Sequence, residues 1–71
     1  MTEYTVLLTW DDEASRWCAL NDDIPIVLED ASLDRLIDRV KMAAPELLEL
    51  NGQPHRDIHL LFKMERQAVI A

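Results

Sequence analysis

The chain opens on strict alternation. Tyr4, Val6, Leu8 and Trp10 fall on one side of an extended backbone, and Thr5, Leu7 and Thr9 on the other. With its β-branched and aromatic content, Glu3–Trp10 predicts a strand. The polar run Asp11-Asp12-Glu13-Ala14-Ser15 predicts a turn, because Asp and Ser side chains bond nearby backbone N–H groups. Alternation resumes over Arg16–Leu20, with Trp17 and Ala19 on one face and Cys18 and Leu20 on the other. So short a connection predicts a hairpin. Asn21-Asp22-Asp23 reads as a second turn, and Ile26–Glu29 as a short third strand. Pro25 cannot donate to a ladder, so it belongs at that strand's start or on a sheet edge.

At Ser32 the period changes. Leu33, Leu36, Ile37, Val40, Ala44, Leu47 and Leu48 recur at three- and four-residue steps and predict an amphipathic helix running to Leu50. Ser32 is the expected N-cap, with Asp34 near the positive end of the dipole. Asn51-Gly52 supplies a left-handed stop, and Pro54 blocks continuation. Pro45 deprives the Lys41 carbonyl of its donor. A continuous helix kinked there is expected; the alternative is a split, with Pro45 opening a second turn.

After a loop at His55-Arg56-Asp57, Ile58, Leu60, Phe62 and Met64 alternate with His59, Leu61, Lys63 and Glu65, and an apolar tail follows. Carried through to Ile70, a strand of about 13 residues would span roughly 43 Å. A compact chain of this size has a radius of gyration of only about 11 Å. The strand must therefore bend, break near Arg66, or project onto another subunit. A short helix over Lys63–Ala68 is the competing reading of this end.

These elements define an α+β fold of order β-β-β-α-β in a single domain, residues 1–71. It has two layers: a sheet made of an antiparallel meander and a long last strand, and a right-handed crossover helix over one face of it. Both faces of the first strand carry apolar residues, Leu7 opposing Val6 and Leu8, which predicts cover on the second face from another subunit.

Size sharpens that expectation. A 71-residue chain buries only about 60% of its unfolded surface. Its lone cysteine, Cys18, permits no internal disulfide. Cys18, His55 and His59 lack the paired spacing of a metal site. Oligomerisation is the remaining staple, so a homodimer or tetramer is expected, with Phe62, Met64, Val69 and Ile70 as candidate interface residues. Fourteen acidic against seven basic side chains give a formal charge of −7. That balance disfavours direct nucleic-acid binding and suits a basic protein partner. The candidate surface for it is Asp11, Asp12, Glu13, Asp22 and Asp23. No apolar run approaches the ~20 residues of a membrane span, and Met1-Thr2-Glu3-Tyr4 has no basic leader. A cytoplasmic protein with no membrane association is expected.

The candidate chemistry is thin. The two acidic turns should lie at opposite ends of one hairpin, too far apart to converge on a hard cation. Gly52 is the only glycine, so there is no phosphate-cradling loop. Ser15 and Ser32 are absorbed by turn and cap roles. Cys18 reads as a packed strand residue, and His55 and His59 lack a positioned partner. No catalytic residue and no cofactor are expected. Trp10 and Trp17 flank the first turn and should pair across it.

Tyr4-Thr5-Val6, Trp10-Asp11-Asp12-Glu13-Ala14 before Trp17, Asp22-Asp23-Ile24-Pro25, and Leu28-Glu29 with Ser32-Leu33-Asp34 opening the helix together resemble the HicB-like antitoxin domain. Ala44-Pro45-Glu46-Leu47-Leu48-Glu49-Leu50-Asn51-Gly52 resembles a short, stand-alone bacterial branch of that superfamily whose function is uncharacterised. The resemblance spans nearly the whole chain. It implies a partial RNase H-like fold, assembly into dimers or tetramers, and a non-enzymatic role in masking a small basic RNase toxin of the HicA type. The alternative role is an orphan oligomeric domain with an unrelated protein or small-molecule partner. Pro25-Ile26-Val27 stands where such domains commonly carry Pro-Gly-Cys. The chain reaches Ala71 without the DNA-binding segment of full antitoxins, so operator binding by this chain alone is not expected.

Overall fold

The computed structural model describes residues 2–70. Five elements follow in the order strand, strand, strand, helix, strand: β1 (Thr2–Asp11), β2 (Arg16–Leu20), β3 (Val27–Asp30), α1 (Leu33–Leu50) and β4 (Ile58–Glu65). They form an α+β fold in which a mixed four-stranded sheet, order β3-β2-β1-β4, carries one helix. β1–β2 and β2–β3 pair antiparallel, whereas β1 and β4 run parallel. The long connection through α1 thus carries the chain from one sheet edge to the other.

Register puts the alternating residues to use. Tyr4, Val6 and Leu8 stand beside Leu60, Phe62 and Met64, and Leu8 also faces Ala19. Their side chains share the face that α1 covers. From the helix, Leu36, Val40, Ala44 and Leu48 are buried on that face, with Leu33, Ile37 and Leu47 packed beside them. The whole predicted stripe therefore points at the sheet. Ile24 and Ile26 add fully buried side chains from the connection before β3. Fully burying an aliphatic side chain contributes about 1.5–3 kcal/mol, so this connection is part of the core.

The caps hold as expected. Ser32 Oγ accepts from the Arg35 N–H at 3.3 Å. At the other end the Gly52 N–H donates to the Glu49 carbonyl at 3.1 Å and the Gln53 N–H to the Leu48 carbonyl at 2.9 Å. That double closure needs a left-handed residue, and Gly52 takes it at φ 68°. Pro45 lies within one uninterrupted helix, so the split reading is set aside.

The bounds of β1 and β3 differ from expectation: β1 is one residue longer at each end, Thr2–Asp11, and β3 ends at Asp30 rather than Glu29. β3 starts at Val27 rather than Ile26, because the Ile26 N–H is tied back to the Ile24 carbonyl at 2.6 Å in a tight turn around Pro25. Of the outcomes expected for the last strand, the break near Arg66 is the one observed: β4 stops at Glu65, the residue beside Thr9. Two residues past Thr9, β1 ends at Asp11 and turns away, so the alternation continuing to Ile70 has no strand left to pair with. Residues 66–70 are neither strand nor helix, and Ala71 lies outside the described residues. The result is elongated: the radius of gyration is 13.2 Å and the extents are 48 × 19 × 18 Å.

Candidate functional site

The acidic turns are built by their own side chains. Asp11 Oδ1 accepts from the backbone N–H groups of Glu13 at 3.0 Å and Ala14 at 3.3 Å. Ser15 closes that turn at φ 53°. In the second turn, Asn21 Oδ1 accepts from the N–H groups of Asp23 and Ile24, both at 2.7 Å, while its Nδ2 donates to the Thr5 carbonyl. That last bond pins the turn beside the middle of β1. Thr5 and Asp11 are about 20 Å apart along a strand, so the two acidic groups sit at opposite ends of the hairpin. Asp12, Glu13, Asp22 and Asp23 are exposed. Among the described residues, no three His, Cys, Asp or Glu side chains come together.

Trp10 and Trp17 lie directly opposite each other. Their rings meet edge to face, centroids 5.3 Å apart and planes at 64°, the arrangement that ring quadrupoles favour. The Trp10 indole N–H donates to Asp12 Oδ1 at 2.6 Å. Arg66 completes this corner, its guanidinium 4.2 Å from the Trp10 ring centroid and 5.6 Å from that of Trp17. No local pattern in the chain signals this contact. Finding it requires the parallel β1–β4 register, which sets Leu8 beside Met64 and, two residues on, brings Trp10 to Arg66.

A second cluster ties the last strand of the meander to the helix. Asp30 is 7% exposed. Its Oδ1 accepts from the Ser32 N–H at 2.9 Å, and Oδ2 meets Arg39 Nη1 at 3.3 Å. Arg39 Nη1 also donates to the Glu29 carbonyl at 2.8 Å. The Ser32 N–H, and with it Arg39 and Arg35, hold the Asp30 carboxyl below its ordinary range. Arg39–Asp30 is the one ion pair among the described residues.

Cys18 lies on the sheet face away from α1, beside Glu29 across the β2–β3 pair. Partial burial pushes its thiol pKa up, and the Glu29 and Asp11 carboxylates push it further. That shift works against a nucleophilic thiolate. The same face carries Leu7, Leu20 and Leu61, the latter two each 44% exposed. His59, Lys63 and Glu65 share it. His55 is half-buried in the loop before β4.

The β4 edge holds the remaining feature. α1 packs chiefly over β2 and β3, leaving a groove of about 320 Å³ between its Lys41–Pro45 stretch and the Ile58, Leu60 and Phe62 side chains. Of the four candidate interface residues, Phe62 is half-buried in this groove and Met64 is 58% exposed beyond it. Val69 and Ile70 are exposed in the tail.

No helix among the described residues is long and apolar enough to cross a membrane. No curated protein matches the chain. A crystal structure of a hypothetical protein from the extremely thermophilic bacterium Thermus thermophilus is similar at a TM-score of 0.73 and 31% identity, covering 97% of each chain. The model of a domain of unknown function, DUF1902, matches residues 3–70. A match of that family model over almost the whole chain places it in the family: the chain belongs to the DUF1902 family.

Proposed function

We propose that this chain is a non-catalytic, cytoplasmic protein-binding module of HicB-like type that masks a small basic RNase of the HicA type. The observation that carries the reading is the carboxylate excess of the chain, a formal charge of −7, together with two acidic turns, Asp11-Asp12-Glu13 and Asp22-Asp23, whose conformations are fixed by side-chain hydrogen bonds. Fixed turns lose little entropy on docking. Acidic groups at both ends of a hairpin complement a basic surface while repelling nucleic acid. The β-β-β-α-β order supports kinship with the partial RNase H-like arrangement of HicB-like domains. A fold carries no chemistry by itself.

The test is co-expression with a HicA-type toxin. Tagged chain should co-purify the toxin and relieve its growth arrest. Reversing charge with Asp22→Lys and Asp23→Lys should weaken the complex by about tenfold or more. Neither co-purification nor rescue would sink the reading.

A further inference from the structure

β4 is the longer of the sheet's two edge strands. Over its eight residues the outer edge presents unpaired N–H and C=O groups, a template for another strand. Beside that edge lies the apolar groove floored by Ile58, Leu60 and Phe62. Beyond its end runs an apolar tail, with Val69 and Ile70 95% and 94% exposed. The tail does not serve its own groove. Arg66 is held beyond the end of β4 by its stack on Trp10, and the four residues after it reach at most about 14 Å. The groove lies in the opposite direction, back along β4.

We propose that β4 pairs antiparallel with β4 of a second copy about a two-fold axis through Met64, each tail completing the other's groove. Such an axis stands normal to the sheet and leaves both helices on one face. In this register Ile58 faces the partner's Ile70 and Leu60 faces the partner's Ala68. Arg66 already points to the helix side, where Trp10 lies, so an extended tail puts Ala68 and Ile70 on that side too, over the partner's groove. On the opposite face, Glu65 meets the partner's Lys63 and Lys63 meets the partner's Glu65. The entire alternating stretch from Ile58 to Ile70 is thereby paired.

Neighbouring registers fail on charge or coverage. An axis at Lys63 sets that lysine against its own copy, and one at Glu65 does the same to the glutamate. An axis at Phe62 faces Lys63 with Leu61 and carries Ile70 past the start of β4. Like charges directly opposite destabilise a strand pair, and opposite charges stabilise it.

Sedimentation equilibrium on the intact chain tests this. The wild type should sediment at twice its 8.2 kDa mass at micromolar concentration. Glu65→Lys and Lys63→Glu should each raise the dimer dissociation constant about tenfold, since both copies of the pair turn repulsive. The double reversal should restore it. Both side chains are exposed on β4, and an unchanged far-UV circular dichroism spectrum verifies that each variant folds. Met64→Cys in a Cys18→Ser background should oxidise to a covalent dimer, because directly opposed strand residues meet disulfide spacing. A wild type still monomeric at about 100 µM, where a dimer of micromolar dissociation constant would be mostly formed, a dimer indifferent to both single reversals, or no covalent product would each overturn the proposal. Toxin binding and this pairing can fail independently.

Discussion

Replacing Pro45 with alanine opposes two effects whose sizes can be worked out. Pro45 lies well inside the 18-residue helix, beyond the first turn where proline is tolerated. There it withholds the donor that the Lys41 carbonyl would accept, and its ring crowds that turn. Interior proline costs about 3 kcal/mol relative to alanine. Against this, the ring is half-buried and forms a wall of the β4 groove. Alanine removes two ring carbons; at about 0.8 kcal/mol for each fully buried methylene, half burial makes the loss near 0.8 kcal/mol. The helix term wins, leaving about 1–2 kcal/mol of stabilisation after local relaxation. In a domain of this size that is a rise in Tm of roughly 4–16 °C. Thermal unfolding followed by far-UV circular dichroism, with both proteins at one concentration, gives the answer. A Tm that stays level or falls would refute the reasoning and show that the ring's place in the groove outweighs the missing hydrogen bond.

The clusters described above lead to three more expected outcomes. A double-mutant cycle with Trp10→Phe and Arg66→Ala should return a coupling of about 0.5–1 kcal/mol in urea unfolding, as for an exposed cation–π contact; zero coupling would mean that the stack is incidental. Asp30 has its pKa lowered in the folded chain, so its contribution is present above the ordinary carboxylate value of about 3.9 and is lost as pH falls through the lower folded value. Urea midpoints should therefore drop on acidification from about pH 4, and less steeply in Asp30→Asn; parallel profiles would refute the linkage. Cys18 has its thiol pKa raised, so at about pH 8 the folded chain should react with a disulfide reagent more slowly than the urea-unfolded chain, and Glu29→Gln should speed it. Equal folded and unfolded rates would contradict the assigned environment.

Local signals carried most of the fold. The alternation of β1 and β2, the Trp10–Trp17 pairing, the helix with its Ser32 cap and its Gly52 stop are all statements about residues within a few positions of each other. What stayed hidden depends on distant pairing. Arg66 reaches Trp10 only through the β1–β4 register, and Asp30 finds Arg39 only because α1 folds back over β3. The end of β4 is set by the end of β1, so alternation alone overran it by five residues. Ile24 and Ile26 carry no periodic core signal, because the turn around Pro25 interrupts any period. Of the candidate surfaces, the acidic turns were legible as turns. The groove beside β4 was not, since its existence depends on where the helix lies across the sheet.

The parallel pairing of β1 with β4 also governs how the chain reaches this state. Thr2 pairs with Ile58 and Thr9 with Glu65, so the first strand acquires its second neighbour from the last element in chain order. The hairpin, β3 and α1 can assemble from contacts close in sequence, but closing β4 onto β1 requires the ends of the molecule to meet. Loop-closure entropy opposes that contact before any burial favours it, which makes it the slow step. During synthesis, β1 therefore waits with one flank bare after β2 has taken the other. In this interval its apolar residues are open to wrong partners, and a chain interrupted before Ile58 would keep that flank bare and be prone to aggregate.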